Sequence, residues 1–124
     1  NCMSRFDSTE ATNRNIPKVV SNFNNNLIYM SRSAIPGTKE GHSKLVHKQV
    51  CIYAFTKDEL DKFYQFGLKH GKTQIEWSED IEILRFLELG INVKMLETYG
   101  TTQAVDVEED VKKVEEILKN VQRK

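Results

Sequence analysis

Apolar residues recur with two different periods along these 124 residues, and the switch between them outlines the fold. Runs rich in Val, Ile, Tyr and Phe, bounded by turn residues, predict strands. The first is a short strand over residues 1–5. "PKVVSNFNNNLIYMSRS" predicts two more, carried by Val19 and Val20 and by Leu27 to Met30. Asn24, Asn25 and Asn26 form the turn between them, because Asn tolerates the left-handed backbone that tight turns need. The polar stretch over residues 5–17 predicts loop, as does "AIPGTKEGHS", broken at Pro36-Gly37. "KLVHKQVCIYAF" predicts a long strand, apolar on both faces toward its end, which suits the middle of a sheet. Cys51 is expected there as a small core residue. Strict alternation puts Gln49, Cys51 and Tyr53 on one strand face.

Beyond Phe55 the period becomes helical. "TKDE" at 56–59 has the form of a capping box, with Thr56 and Glu59 each reaching the other's backbone. The helix it opens runs through Leu60, Phe63 and Tyr64 toward Gly67. "QIEWSEDIEILRFLELG" predicts the next helix, with Ser78 as N-cap, Glu79 and Asp80 at the positive end of the dipole, and Gly90 as the stop. Ile81, Ile83, Leu84, Phe86 and Leu87 make its apolar face. "INVKMLE" alternates Ile91, Val93 and Met95 with polar residues, which predicts a strand. Val107, Val111, Val114, Leu118 and Val121 predict a last helix with a narrow apolar stripe. Strands first, then strand, helix, helix, strand and helix, describe an α/β layered domain built on a mixed sheet, a single domain over residues 1–124.

Charge narrows the partners. The 18 basic and 18 acidic residues cancel, so neither nucleic acid nor an anionic membrane is an expected partner. The longest apolar run, Val50 to Phe55, is far below a membrane span. Arg5, Asp7 and Glu10 interrupt any leader-like stretch at the start. Cys2 and Cys51 have no paired spacing, so they make neither a disulfide framework nor a zinc pattern and suit the reducing cytoplasm. His42, His47 and His70 are scattered among polar residues and are expected at the surface. No glycine-rich phosphate loop and no Ser-His-Asp set is present.

Several residues remain as candidates for chemistry. Six carboxylates crowd the stretch from Asp106 to Glu116. Asp106 and Glu109 have the D-x-x-E capping form, and negative charge suits a first helical turn. Glu108–Lys112, Glu109–Lys113 and Glu115–Lys119 are favourably directed i,i+4 pairs. The other reading makes Asp106 a metal ligand. Arg32, in "MSRSAIP", either reaches to water from a strand end or binds a carboxylate or phosphate. Gln49 with Tyr53 could bind a polyol or simply pair within the sheet. Glu76 and Glu79, near a helix start, could bind sugar hydroxyls or cap.

Four segments, taken in order, resemble one family. They are "NLIYMSRSAIP", "HKQVCIYAF", "SEDIEILRFLELG" and "AVDVEEDVKKVEEIL", within residues 16–120. They are similar to the Y-F-S-R-x-x-I-P segment, the K/R-H-I-G-I-Y-A-Y strand, the L-E-x-x-E-x-L-E-x-L-R helix and the V-D-T-P-E-D-L segment of the sugar-acid cytidylyltransferases, and within them of the CMP-Kdo synthetases. The resemblance implies the C-terminal half of a nucleotide-diphospho-sugar transferase-like, Rossmann-like fold. It implies transfer of CMP from CTP to a Kdo-like sugar acid with release of pyrophosphate, with magnesium (Mg2+) as cofactor, in a cytoplasmic homodimer or other homo-oligomer. It places Arg32, Lys48, Gln49, Tyr53, Glu76 and Glu79 at or near the sugar-acid pocket, and it makes Asp106 a metal ligand.

The chain also departs from the family pattern. Gln49 stands where the family has His, Cys51 where it usually has Gly, and Trp77 lies within the acidic segment. Val107 and Glu108 replace Thr and Pro, leaving Asp106 as the good cap, so in this chain Asp106 is expected to cap. The family's nucleotide loop, A-R-x-x-S-x-R-x-P-x-K, and its other metal aspartate have no counterpart. The expectation is therefore a sugar-binding and dimerisation part, inactive alone. The competing expectation is a non-catalytic sugar-acid-binding or oligomerisation module that reuses the half-fold.

Overall fold

A computed structural model of the chain describes residues 1–6, 10–42, 46–99, 105 and 108–121. Its strands are β1 (Cys2–Phe6), β2 (Lys18–Ser21), β3 (Leu27–Ser31), β4 (Gly37–Thr38), β5 (Gly41–His42), β6 (Val46–Val50) and β7 (Leu96–Glu97). Its helices are α1 (Lys57–His70), α2 (Gln74–Glu79), α3 (Ile83–Glu88) and α4 (Glu108–Val121). The main sheet runs β3-β2-β6-β1-β7, and β4 pairs with β5 in a small hairpin inside the expected loop. The β1–β7 pair is parallel, whereas β1–β6, β2–β6 and β2–β3 are antiparallel. The sheet is mixed, as the pattern predicts, and β6 lies at its centre. The β2–β3 turn forms at the asparagines. Asn25 has φ 56°, and the Asn22 side chain accepts from the backbone N–H groups of Asn24 and Asn26 at 3.0 and 2.9 Å.

Three expectations are corrected. The long strand ends at Val50, which stands opposite Cys2 of β1. There the chain tightens, with Ile52 N–H donating to Val50 O at 2.7 Å, while Ile52 O still accepts from Cys2 N–H at 3.2 Å. Cys51 is therefore exposed rather than in the core. The helix predicted over "QIEWSEDIEILRFLELG" is two helices, because Asp80 takes a left-handed conformation at φ 51°. Thr73, not Ser78, is the N-cap of α2, in a capping box with Glu76. Ser78 lies within α2, and its Oγ donates to Gln74 O at 3.0 Å. The break turns Ile81, Ile83, Leu84 and Phe86 into the core. Lastly, the strand after Gly90 is short. Val93 and Met95 are bound by the backbone of residues 25–27 in the β2–β3 turn, and Leu96–Glu97 alone join β1.

Other expectations hold. Thr56 and Glu59 form the capping box of α1, and Gly90 follows α3 at φ 72°. Met3, Val19, Leu27 and Met30 from the sheet pack against Ile81, Ile83, Leu84, Phe86, Val93 and Met95. Phe55, Phe86 and Phe63 extend this core as stacked rings with centroids 4.9 and 4.8 Å apart. Within α4, Val111 and Leu118 are exposed, so the narrow stripe is not buried along its length. Lys113 pairs with Asp110 at 2.8 Å, one turn position short of the expected Glu109. Asp106, with its expected cap, lies outside the described residues. His70 is exposed, while His47 is half-buried with Nε2 3.7 Å from the Glu97 carboxylate.

A buried ion pair ties the helices together. Arg85 on α3 donates from Nε and Nη2 to the two oxygens of Glu76, at 2.7 Å each. Its Nη1 donates to Phe63 O at 3.2 Å, and its guanidinium lies 3.9 Å above the Phe63 ring. A Cβ at Gly67 would sit 2.5 Å from Arg85 Nη1. Glycine inside a helix costs about 1 kcal/mol against alanine, so Gly67→Ala gains propensity. Loosening a buried ion pair costs about 3–5 kcal/mol when a partner is lost outright. We expect Gly67→Ala to be net destabilising by about 1–3 kcal/mol in urea unfolding. A stabilised variant would show that Arg85 moves aside without cost.

Candidate functional site

Two polar assemblies and the buried ion pair contain the candidate residues that the structure describes. The first lies where β3 ends. Paired residues of adjacent strands face the same way, and the register aligns Ser31 with Lys18, Lys18 with Lys48, and Lys48 with Ser4. This polar row crosses four strands on the face opposite Met3, Val19 and Met30. Lys18 is fully buried, and its Nζ donates to Asn13 O, Ile16 O and Arg32 O at 2.7, 2.8 and 2.6 Å. Burial pushes this ammonium below its ordinary pKa, with the charges of Arg32 and Arg14 adding and Glu79 opposing. Lys48 lies 3.8 Å from the Glu10 carboxylate and is largely buried.

Glu79 closes this assembly from the end of α2. It accepts from Ser31 Oγ at 2.6 Å, Tyr29 OH at 3.1 Å and Arg32 N–H at 2.9 Å. Burial draws its pKa upward, but those hydrogen bonds and the Arg32 charge outweigh burial and hold the carboxyl below its ordinary range. The Arg32 guanidinium is committed to main-chain oxygens. Its Nε donates to Glu79 O at 2.7 Å, Nη1 to Arg14 O at 3.1 Å and Nη2 to Asp80 O at 3.0 Å.

Gln49 follows Lys48 and therefore points to the opposite face. Its Nε2 donates to Tyr53 OH at 2.8 Å, so the pairing suggested by alternation forms even though the strand stops between them. Burial, then the Glu82 carboxylate and Cys51, push the Tyr53 phenol well above its ordinary range. Tyr53 thus stays protonated and serves as a hydrogen-bonding group. Glu76 stands apart from both assemblies. Its two oxygens hold Arg85, and one also accepts the N–H of Thr73 at 3.1 Å. Lys18 and Arg85 organise these groups and were not singled out from the sequence. The available signal was a charged residue heading or interrupting an apolar run.

Among the described residues no group of three His, Cys, Asp or Glu side chains stands ready for a metal ion. No helix among them is long and apolar enough to cross a membrane.

Known proteins resemble this chain in sequence and in fold. No protein-family model matches the sequence. A 3-deoxy-manno-octulosonate cytidylyltransferase from Koribacter versatilis is 36% identical over 112 residues, covering 90% of this chain and 41% of that protein. Its counterpart from Christiangramia forsetii is 34% identical over 113 residues, covering 90% of this chain and 44% of its own length. A solved structure of CMP:2-keto-3-deoxy-manno-octonic acid synthetase complexed with CTP superposes with a TM-score of 0.81 at 28% identity. It covers 96% of this chain and 48% of that one. The chain is similar to the CMP-Kdo synthetases over about 90% of its length. It spans less than half the length of the relatives it matches, and its mixed sheet and helices are those of a nucleotide-diphospho-sugar transferase-like fold.

Glu79 supplies a test of the β3 assembly. Folding lowers its pKa from the ordinary 4.5. Its contribution to stability is present above that value and is lost as the pH falls through the lower folded value. Denaturation midpoints should therefore drop as the pH is taken below 4.5, and Glu79→Gln should show a shallower drop. Equal slopes for the two proteins would remove Glu79 from the acid response.

Proposed function

We propose that the chain is the sugar-acid-binding half of a CMP-Kdo synthetase. The complete enzyme transfers CMP from CTP to a Kdo-like sugar acid and releases pyrophosphate, acting in the cytoplasm. One observation carries the reading. The chain matches a cytidylyltransferase over 90% of its own length at 36% identity while covering 41% of that protein. The rest of such an enzyme is long enough to hold the nucleotide.

In this reading the anomeric hydroxyl of the sugar attacks the α-phosphate of CTP. A new P–O bond forms as the bond to pyrophosphate breaks. Gln49 and Tyr53 receive sugar hydroxyls, since a paired amide and phenol offer donors and acceptors of fixed orientation. Arg32 and Lys48 supply positive potential for the carboxylate. Glu79, which holds the end of β3, positions Arg32, while Glu76 acts only through Arg85 on the helical layer. When bound, magnesium neutralises charge at the phosphates. Asp106 is the proposed ligand, and magnesium typically takes one or two carboxylates with substrate oxygens and water. A homodimer, or another homo-oligomer, is proposed on Leu60, Tyr64 and Leu68. They form an exposed apolar ridge along α1, at 48, 57 and 66% exposure.

The chain alone should release no pyrophosphate from CTP, Kdo and magnesium. Exchanged for the matching stretch of the Koribacter versatilis relative, it should support that release. Asp106→Asn in the chimera should cut the rate by about 100-fold, a loss that even outer-shell changes reach at metal sites. A chimera that folds, by circular dichroism, yet binds neither CTP nor Kdo would refute the assignment.

A further inference from the structure

Lys18 is a buried charged side chain that the proposed chemistry leaves unused. It lies in the polar row of the sheet, between Ser31 and Lys48, and is fully buried. A buried ammonium is tolerated only where acceptors meet its hydrogens. Lys18 Nζ donates to three main-chain oxygens, of Asn13 at 2.7 Å, Ile16 at 2.8 Å and Arg32 at 2.6 Å. An ammonium has three N–H donors, so all are spent and none is left for a ligand. Lys18 acts, then, only through what it holds.

It holds both supports of one side chain. The first is Arg32 O, which fixes the backbone from which the guanidinium extends. The other two oxygens bracket Arg14, whose own carbonyl accepts from Arg32 Nη1 at 3.1 Å. Glu79 O and Asp80 O take Nε and Nη2, at 2.7 and 3.0 Å. A guanidinium carries one N–H on Nε and two on each terminal nitrogen. One N–H on Nη1 and one on Nη2 therefore stay open, on a side chain that is half-buried. A rigid planar fork suits a carboxylate, and a fork already fixed loses less freedom on binding. Without the ammonium, nothing ties the 13–16 loop and the main chain of Arg32 to one point.

We propose that Lys18 is a positioning residue for sugar-acid recognition. Through the 13–16 loop and the main chain of Arg32, it aims the Arg32 guanidinium at the carboxylate of the ligand. This rests on the reading of the chain as the sugar-acid-binding half. The test titrates Kdo, and its methyl ester, which keeps the hydroxyls without the charge, into the full chain and into Lys18→Met, followed by NMR. The native chain should bind Kdo, and Lys18→Met should bind it about tenfold more weakly, the scale of one charged hydrogen bond. Affinity for the ester should be the same in both proteins, whereas merely structural damage would weaken both ligands alike. In the ligand-free variant the Arg32 Nε–H should exchange with water faster than in the native chain. If Lys18→Met does not fold, the native signals decide alone. There the Lys18 ammonium and the Arg32 Nε–H should both exchange slowly, and both should shift with Kdo but not with the ester. Equal weakening of acid and ester, unchanged Kdo affinity in Lys18→Met, or a Lys18 ammonium that exchanges as fast as exposed lysines would each overturn the proposal. A native chain that binds neither ligand would overturn the functional reading, and this role with it.

Discussion

The pairing of Arg85 with Glu76 is the constraint on which the helical layer depends. Two charges removed from water cost more than their attraction returns unless geometry and hydrogen bonding are nearly complete. Here they are. Both carboxylate oxygens meet the guanidinium, the third nitrogen finds Phe63 O, and the cation lies on the Phe63 ring. Each partner sits on a different helix, and the ring and carbonyl belong to a third. The same carboxylate closes the capping box of α2. Gly67 is glycine because the guanidinium occupies the space a side chain would take. One ion pair therefore sets how α1, α2 and α3 stand against one another.

That arrangement decides where α2 ends, and the end of α2 carries Glu79. Its carboxylate gathers Tyr29, Ser31 and Arg32 at the close of β3, while the buried ammonium of Lys18 binds the preceding loop to the same point. A few charged side chains, Lys18, Glu76 and Arg85 among them, are thus turned inward and held by main-chain groups or by each other. With its formal charges balanced, the chain offers local polar sets rather than long-range attraction. The Gln49–Tyr53 pair on the opposite face of the sheet is a set of this kind.

Much of the fold could be read along the chain, and the misses share a cause. Alternation located Val19, Met30, Val93 and Met95, and local hydrogen-bond chemistry located the Thr56–Glu59 box, the asparagine turn and the stop at Gly90. These depend on neighbours within a few residues. The turn after Val50 and the break at Asp80 depend on groups far away, such as the pairing with β1 and the core that Ile81 and Ile83 enter. The candidate residues divide in the same way. Motif order marked Arg32, Lys48, Gln49, Tyr53, Glu76 and Glu79, but not what each side chain holds.

By itself, the sequence determined the type and order of most elements, the mixed α/β architecture and the resemblance to one family. Each is carried by periodicity, capping and motif order that survive in one dimension. Tertiary structure alone decided that Glu76 is locked to Arg85, that Lys18 is buried under three main-chain oxygens, and that Glu79 gathers Tyr29, Ser31 and Arg32. A side chain's role depends on which distant groups the fold brings within hydrogen-bond reach, and no local pattern records that.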